Sequence, residues 1–476
     1  MERHAFVGLM LAFGGIVGSG CGTSSTKGNT GGDAGSSSGG ADAAGSSSSG
    51  GSSGGSGSSS GSGSSSGSSS GGDGGGVLPS GRSFPDTFSS IAILTDQLPS
   101  GMPAAQQQFA ATHYVGTEKQ LLPDSKALRA INKDFLVLHY HLAMWQSAAD
   151  FITNGTSWGN DLSTVTQNET WFWHNASSET MSGRVTAPDG KFLMDVTVPG
   201  FQQYWVQSLE QQVSDGDYDG IMFDSASPSL LQGWCGGTGA GQDPRLAGTA
   251  AKDTSFADLG NATWIAAWQT WITALDSALA SKGIPLIPND GSFITGWDNT
   301  NYALTGGVFS EGFADPTFAE SDWQASTNEL LSLAAADKIM ILQNYLSAST
   351  DVATRKYYLG NYLLVKGHHT YLDYFDSNGP LEWYPEWALD LGAPTTATTT
   401  KVSDLLTGGV YRRDFAKGSV LVNPSGSPVT VKLTGQQVVP SGGGQVPTAG
   451  TAPGSITMNA VTSITVGATS AEIVLH

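Results

Sequence analysis

Eight short apolar runs, each closing on or beside a polar residue, leave this chain few architectures. They are Ile91–Asp96, a run around Phe109 to Gly116, Phe135–His141, Gly220–Asp224, Ile284–Asn289, Gly307–Glu311, Ile339–Asn344 and His369–Tyr374. They are continuous rather than strictly alternating, the pattern of parallel strands covered by helices on their faces. Helical periodicity fills several of the gaps. Trp264, Trp268, Trp271, Leu275 and Leu279 recur at three- and four-residue steps, and Gly283 follows where a C-terminal cap belongs. Phe201, Trp205, Leu209 and Val213 form a second stripe, with Pro199 in its first turn and Thr197 as its expected cap. A third helix is expected near Ser326 to Ala336. The alternation predicts an α/β chain built on a (β/α)8 TIM barrel.

The rest of the sequence divides around that barrel. Residues from about Gly22 to Gly76 are nearly all Gly, Ser, Ala, Asp and Thr. Such a stretch cannot bury enough apolar surface to offset its ordering entropy and is expected to be a disordered tether. Ahead of it, Arg3 and His4 precede an apolar run from Ala5 to Val17 that is too short to span a bilayer. The run ends at Gly18-Ser-Gly-Cys21, which resembles a bacterial lipobox, with Gly rather than Leu three residues before the cysteine. By that resemblance Cys21 is lipidated and becomes the first mature residue. After Thr395–Thr400 come short β-prone runs separated by Gly, Pro and Ser, expected to form a small antiparallel β-sandwich. The predicted segments are a lipoprotein-type signal peptide at 1–21, a linker at 22–80, the barrel at 81–394 and the sandwich at 395–476.

Charge narrows the partners. With 21 Lys and Arg against 41 Asp and Glu, and no basic cluster, the chain is not built for nucleic acid or an anionic membrane surface. A lipid on Cys21 is the expected membrane contact, which makes the protein an exported outer-membrane or cell-surface lipoprotein, or else a secreted one. It is expected to be a monomer. Cys235 is then left without a disulfide partner and is expected to be an inert loop thiol.

Candidate chemistry gathers at the strand ends, where barrel enzymes carry it. Asp224 and Glu311 close two different predicted strands. Glycoside hydrolysis needs one carboxyl to protonate the leaving oxygen and a second to attack the anomeric carbon or activate water, and two strand ends can supply them. Asp96, Asn289, Asp290, Asn344, Tyr345 and Asp373 end or lie on other runs and suit hydroxyl recognition. Asp219 is expected to make structural hydrogen bonds at the start of its strand. His139 and His141 face one side of their strand, as buried hydrogen-bonded rings or substrate contacts rather than as metal ligands. Trp145, Trp234, Trp297, Trp323, Trp383 and Trp387 follow predicted strands, where they stack on pyranose faces or anchor loops. No metal and no cofactor is expected.

Three stretches carry a family resemblance. They are Leu193-Met-Asp-Val-Thr ahead of Tyr204-Trp205, the run Tyr218-Asp-Gly-Ile-Met-Phe-Asp224, and Gly409-Val-Tyr-Arg-Arg-Asp-Phe-Ala-Lys-Gly-Ser-Val-Leu-Val-Asn-Pro424. In these the chain resembles hypothetical glycosyl hydrolase family 15. The Asp-Gly-Ile-x-x-Asp pattern is also similar to that of endo-α-1,4-polygalactosaminidase barrels, in which an Asp ending strand four works with a Glu on a later strand. Asp224 and Glu311 match those positions. The resemblance implies acid/base cleavage of a poly- or oligosaccharide. Two other readings compete: a non-catalytic glycan-binding surface lipoprotein on the same scaffold, and a metal-dependent hydrolase using His139 and His141.

Overall fold

The computed structural model describes residues 77–146, 152–153, 156–157, 161–174, 180–185, 191–226, 262–291, 301–375 and 379–476. The leader with Cys21, nearly all of the tether, Cys235, Trp234 and Trp297 lie outside them.

The first part of the chain is mixed α/β, with its parallel strands in three ladders. Strands β1 (Leu94–Gln97), β2 (Gly116–Lys119) and β3 (Leu136–Val137) form one. Strands β4 (His139–Leu142), β5 (Ile221–Asp224) and β6 (Leu286–Pro288) form the next, with β5 central. Strands β7 (Gly307–Glu311), β8 (Ile339–Tyr345) and β9 (Thr370–Phe375) form the third. Only Leu138 separates β3 from β4: β3 pairs back to β2 and β4 forward to β5. Single parallel bridges join Asn289 to Phe309 and Ile93 to Leu372, which link the second ladder to the third and the third to the first.

Side-chain parity sorts the two faces. Leu94, Leu136, Leu138, Met222, Ile287, Phe309, Ile341 and Tyr371 meet in one apolar cluster, drawn from all three ladders. The alternate residues, such as Val137, Ile221, Phe223, Leu286, Val308, Met340 and Leu342, pack into a larger cluster with the helices. The longer helices among the described residues are α1 (Ala104–His113), α2 (Leu122–Ile131), α3 (Pro199–Gly216), α4 (Ala262–Ala280), α5 (Glu320–Ala335) and α6 (Val352–Val365). In α3 the expected stripe of Phe201, Trp205, Leu209 and Val213 is buried, and Trp205 donates to the Ala143 carbonyl at 3.0 Å. The helix closes on Asp217 in the left-handed region, φ 53°.

Two local expectations are corrected. The stretch around Phe109 is helix, not strand: Phe109, Ala110 and Ala111 bury one side of α1, and the second strand is Gly116-Thr-Glu-Lys119. Its polar composition hid it. Thr197 is not the cap of α3 either. Val198 holds that position, and the Thr197 hydroxyl and amide both donate to Asp195.

The C-terminal strands are antiparallel. Strands β10 (Leu406–Thr407), β11 (Val410–Phe415), β12 (Gly418–Asn423), β13 (Val429–Val431), β14 (Gly435–Ser441), β15 (Ser455–Val461), β16 (Ile464–Val466) and β17 (Ser470–Leu475) make a six-stranded sheet in the order β10-β11-β12-β17-β14-β15, with β13 and β16 paired separately. Helix α6 lies against this sheet. Arg413 of β11 donates to the Leu363, Leu364 and Lys366 carbonyls at the end of α6. Gly360 makes the close approach possible, because a Cβ there would stand 2.3 Å from the Ala471 Cβ and 3.3 Å from Val422 Cγ2. Overpacking outweighs the helix propensity of alanine at such a seam. Gly360→Ala will therefore lose ~1–3 kcal/mol in chemical denaturation; an unchanged or raised stability would show that the seam relaxes freely.

Asp219 anchors the N-terminal end of the ladders. Its buried carboxylate accepts from Arg82 Nε and Arg129 Nη2, both at 2.6 Å, from Ser80 Oγ at 2.7 Å and from the Val137 amide at 2.7 Å. This is the structural role expected of it.

Candidate active site

The two lead carboxyls converge. Asp224 is the last residue of β5 and Glu311 the last of β7, with Asn289 between them just past β6. All three share the parity of Met222, Ile287 and Phe309, so they lie on the strand face that carries that apolar cluster. One amide bridges the pair: Asn289 Nδ2 donates to Asp224 Oδ1 at 2.9 Å and to Glu311 Oε2 at 2.6 Å. Those two oxygens are therefore no further apart than the two bonds laid end to end. Asn289 Oδ1 accepts from the Gly291 amide at 3.0 Å, which turns the NH2 group toward the carboxyls.

Sharp turns hold these strand ends. Ser225, Gly291 and Gly312 follow with φ of 56°, 77° and 83°. A serine in the left-handed region beside an acidic residue is uncommon, and such strain gathers at functional sites.

The partners of the two carboxyls differ. Asp224 Oδ2 accepts from the Tyr140 hydroxyl at 2.8 Å. Glu311 accepts a hydrogen bond from the Tyr345 hydroxyl. Burial and the neighbouring charge of Asp224 raise the Glu311 carboxyl above its ordinary range, so its acid form persists to higher pH.

The remaining strands complete the group. Asp96 pairs with Lys119 Nζ at 2.9 Å, and its amide donates to Asp373 Oδ2 at 3.0 Å. The Asp373 carboxyl is fully buried and raised well above its ordinary value by burial. Glu118 is likewise buried and raised, first by burial and then by the charges of Asp96 and Asp373. Neither of its carboxyl oxygens has a hydrogen-bond partner among the described residues. Gln343, paired in register with Glu311 and Asp373, has an Oε1 without a partner among the described residues.

The sequence profile of hypothetical glycosyl hydrolase family 15 matches residues 129–419, more than half of the chain and including Asp224, Asn289 and Glu311. The chain belongs to this family. No protein of curated description matches it. Among solved structures it is similar to a cycloalternan-degrading enzyme from Trueperella pyogenes, with 10% identity and a TM-score of 0.40 over 83% of this chain and 64% of that one. The chain thus spans slightly less than two thirds of that enzyme. It is also similar to a noncanonic maltogenic α-amylase, AmyB, from Thermotoga neapolitana, with 10% identity and a TM-score of 0.37 over 81% of this chain and 98% of that one.

Within this family member the expected site residues divide. Asp224, Glu311, Asn289, Tyr345, Asp96 and Asp373 belong to the polar group just described. Asp290 is buried beside it, its amide bonded to the Phe309 carbonyl at 3.1 Å. Asn344 pairs with Tyr374 of the larger, helix-packed cluster and shares that face, away from the carboxyls. His139 and His141 face α3. His139 Nε2 lies 2.7 Å from Gln212 Oε1, and His141 Nε2 lies 2.6 Å from Asp161 Oδ2. Of their two expected readings, the geometry is that of buried hydrogen-bonded rings. Among the described residues, no group of three His, Cys, Asp or Glu stands where it could hold a metal ion. Trp145, Trp323, Trp383 and Trp387 are all buried and anchor packing, with no ring face open for a sugar. Tyr140, Glu118 and Lys119 were missed. Parity held the signal for Tyr140, since it lies between the two outward histidines.

His139 gives a stability prediction. Burial, and then the nearby His141, push its imidazole down to about 3. The unfolded chain takes up a proton near 6.5 that the folded chain refuses. This contribution is therefore whole above about pH 6.5 and is lost as pH falls toward 3, by up to ~1.4 kcal/mol per pH unit. Urea unfolding of His139→Gln across that window will show a flatter acid loss than the parent; parallel slopes would contradict the assignment.

Proposed function

We propose that this protein is a retaining glycoside hydrolase, with Asp224 as nucleophile and Glu311 as acid/base. The observation that carries this reading is the Asn289 amide shared by the two carboxyls. It brings their nearest oxygens within the ~5–5.5 Å of a retaining pair, which supports this reading over an inverting one. Glu311, whose acid form is favoured by burial and by the charge of Asp224, gives its proton to the leaving glycosidic oxygen. Asp224, steadied by two hydrogen-bond donors, attacks the anomeric carbon as that bond breaks. Glu311, now ionised, takes a proton from water, whose oxygen displaces Asp224 from the same carbon.

In this reading the three parallel ladders are arcs of one (β/α)8 barrel over residues 81–394. The strand pairings, the two linking bridges and the single inner cluster support it. Residues 395–476 would be a β-sandwich beside the barrel. The signal-like segment 1–21, lipidated at Cys21, and the tether would hold the enzyme outside the cell, where it meets a poly- or oligosaccharide.

The test is release of reducing ends by the full chain from a panel of polysaccharides. Release from at least one member is expected. Saturable binding to a glycan without release would favour a non-catalytic glycan-binding protein.

A further inference from the structure

We propose that Lys119 is a positioning residue for Asp224, acting through the ring of Tyr140. The proposal rests on Asp224 as nucleophile and names what keeps it ready. Lys119 Nζ is fixed by Asp96 Oδ1 at 2.9 Å and stands 4.7 Å over the centroid of the Tyr140 ring. The hydroxyl of that ring donates to Asp224 Oδ2 at 2.8 Å. A cation on a phenol face withdraws electron density from the ring and strengthens its O–H as a donor. Strands β1, β2, β4 and β5 thus carry one line of contacts: Asp96, Lys119, Tyr140, Asp224.

The surroundings explain why the line matters. Asp96, Glu118 and Asp224 face Lys119 and hold its ammonium charged against the effect of burial. Asp224 is faced by Glu311 and by the neutral donors Tyr140 and Asn289, and its charge reaches Tyr345. Among the described groups here the acids outnumber the cation, so each further negative charge disfavours an ionised Asp224. Lys119 offsets this through Oδ2, the oxygen that Asn289 does not bridge to Glu311, without contacting the carboxylate it supports. It therefore does not compete with an anomeric carbon for the attacking oxygen.

Four variants of the full chain test the relay: Lys119→Met, Lys119→Arg, Tyr140→Phe and the double change Lys119→Met with Tyr140→Phe. Two readouts are taken. One is the acidic limb of kcat/KM against pH. The other, which needs no substrate, is the carbon-13 titration of the Asp224 carboxyl, assigned by its absence in Asp224→Asn. In Lys119→Met and in Tyr140→Phe both readouts will move to higher pH by about one unit. The double variant will move little further, and Lys119→Arg will return most of the shift. An unmoved titration in Lys119→Met overturns the proposal. Additive shifts in the double variant overturn the route through Tyr140. Should Lys119→Met fail to fold, Lys119→Gln takes its place in the single and double changes, and the same shifts decide the route through Tyr140. A shifted titration in a protein that cleaves nothing would refute the hydrolase reading and leave the relay standing.

Discussion

Changing Asp224 to Asn, or Glu311 to Gln, will lower turnover by about a thousandfold or more, roughly 4 kcal/mol of barrier. The folded chain will stay intact. Both changes keep the shape of the side chain and relieve the repulsion between two carboxyls that share one amide donor. Thermal unfolding should thus show a midpoint equal to or above the parent's. The two variants will also fail differently. Glu311→Gln lacks the proton for the leaving oxygen, so it will lose least on aryl glycosides whose leaving group departs without one. Asp224→Asn lacks the attacking oxygen and will lose activity on every substrate. Rates within tenfold of the parent in both variants would remove the pair from the reaction.

Asp219→Ala will cost ~3–5 kcal/mol, the range for breaking a buried ion pair by removing one partner. The carboxylate holds Arg82 and Arg129 together, and their side chains are 11% and 8% exposed. Without it two guanidinium groups face one another across a gap, and the Val137 amide and Ser80 hydroxyl lose their acceptor. Asp217 contacts both arginines but is 55% exposed, so its compensation is screened. Burial already disfavours the charge on Arg129. Urea denaturation at neutral pH measures the loss. Asp219→Asn should lie between the parent and Asp219→Ala, because it keeps one acceptor without the charge. A loss below 1 kcal/mol in Asp219→Ala would mean that the arginines repack into water.

Much of the frame was legible where hydrophobic burial alone sets the pattern. The runs ending in Asp224, Glu311 and Asn344 are buried strands and read as such, and the α3 stripe from Phe201 to Val213 fell on helical spacing. The reading failed where a polar residue is buried by tertiary contacts. Gly116-Thr-Glu-Lys119 has no apolar signature, yet Glu118 is fully enclosed by its neighbours. The nearby Phe109-Ala-Ala run drew the strand assignment to a helix. At the site, strand ends pointed to two carboxyls that one amide joins, because chain position alone places them at neighbouring strand ends. Which face His139 or Tyr140 takes depends on parity relative to neighbouring strands, and two histidines drew attention from the tyrosine between them. Tryptophans beside strands suggested stacking platforms, but their large apolar area serves the core equally well.

The most direct test of the central claim is the anomeric form of the first product, followed by proton NMR in the opening minutes of hydrolysis, before mutarotation. A shared amide between Asp224 and Glu311 predicts net retention of configuration. Initial formation of the opposite anomer would require a water between the carboxyls and would contradict the arrangement described for Asp224, Asn289 and Glu311.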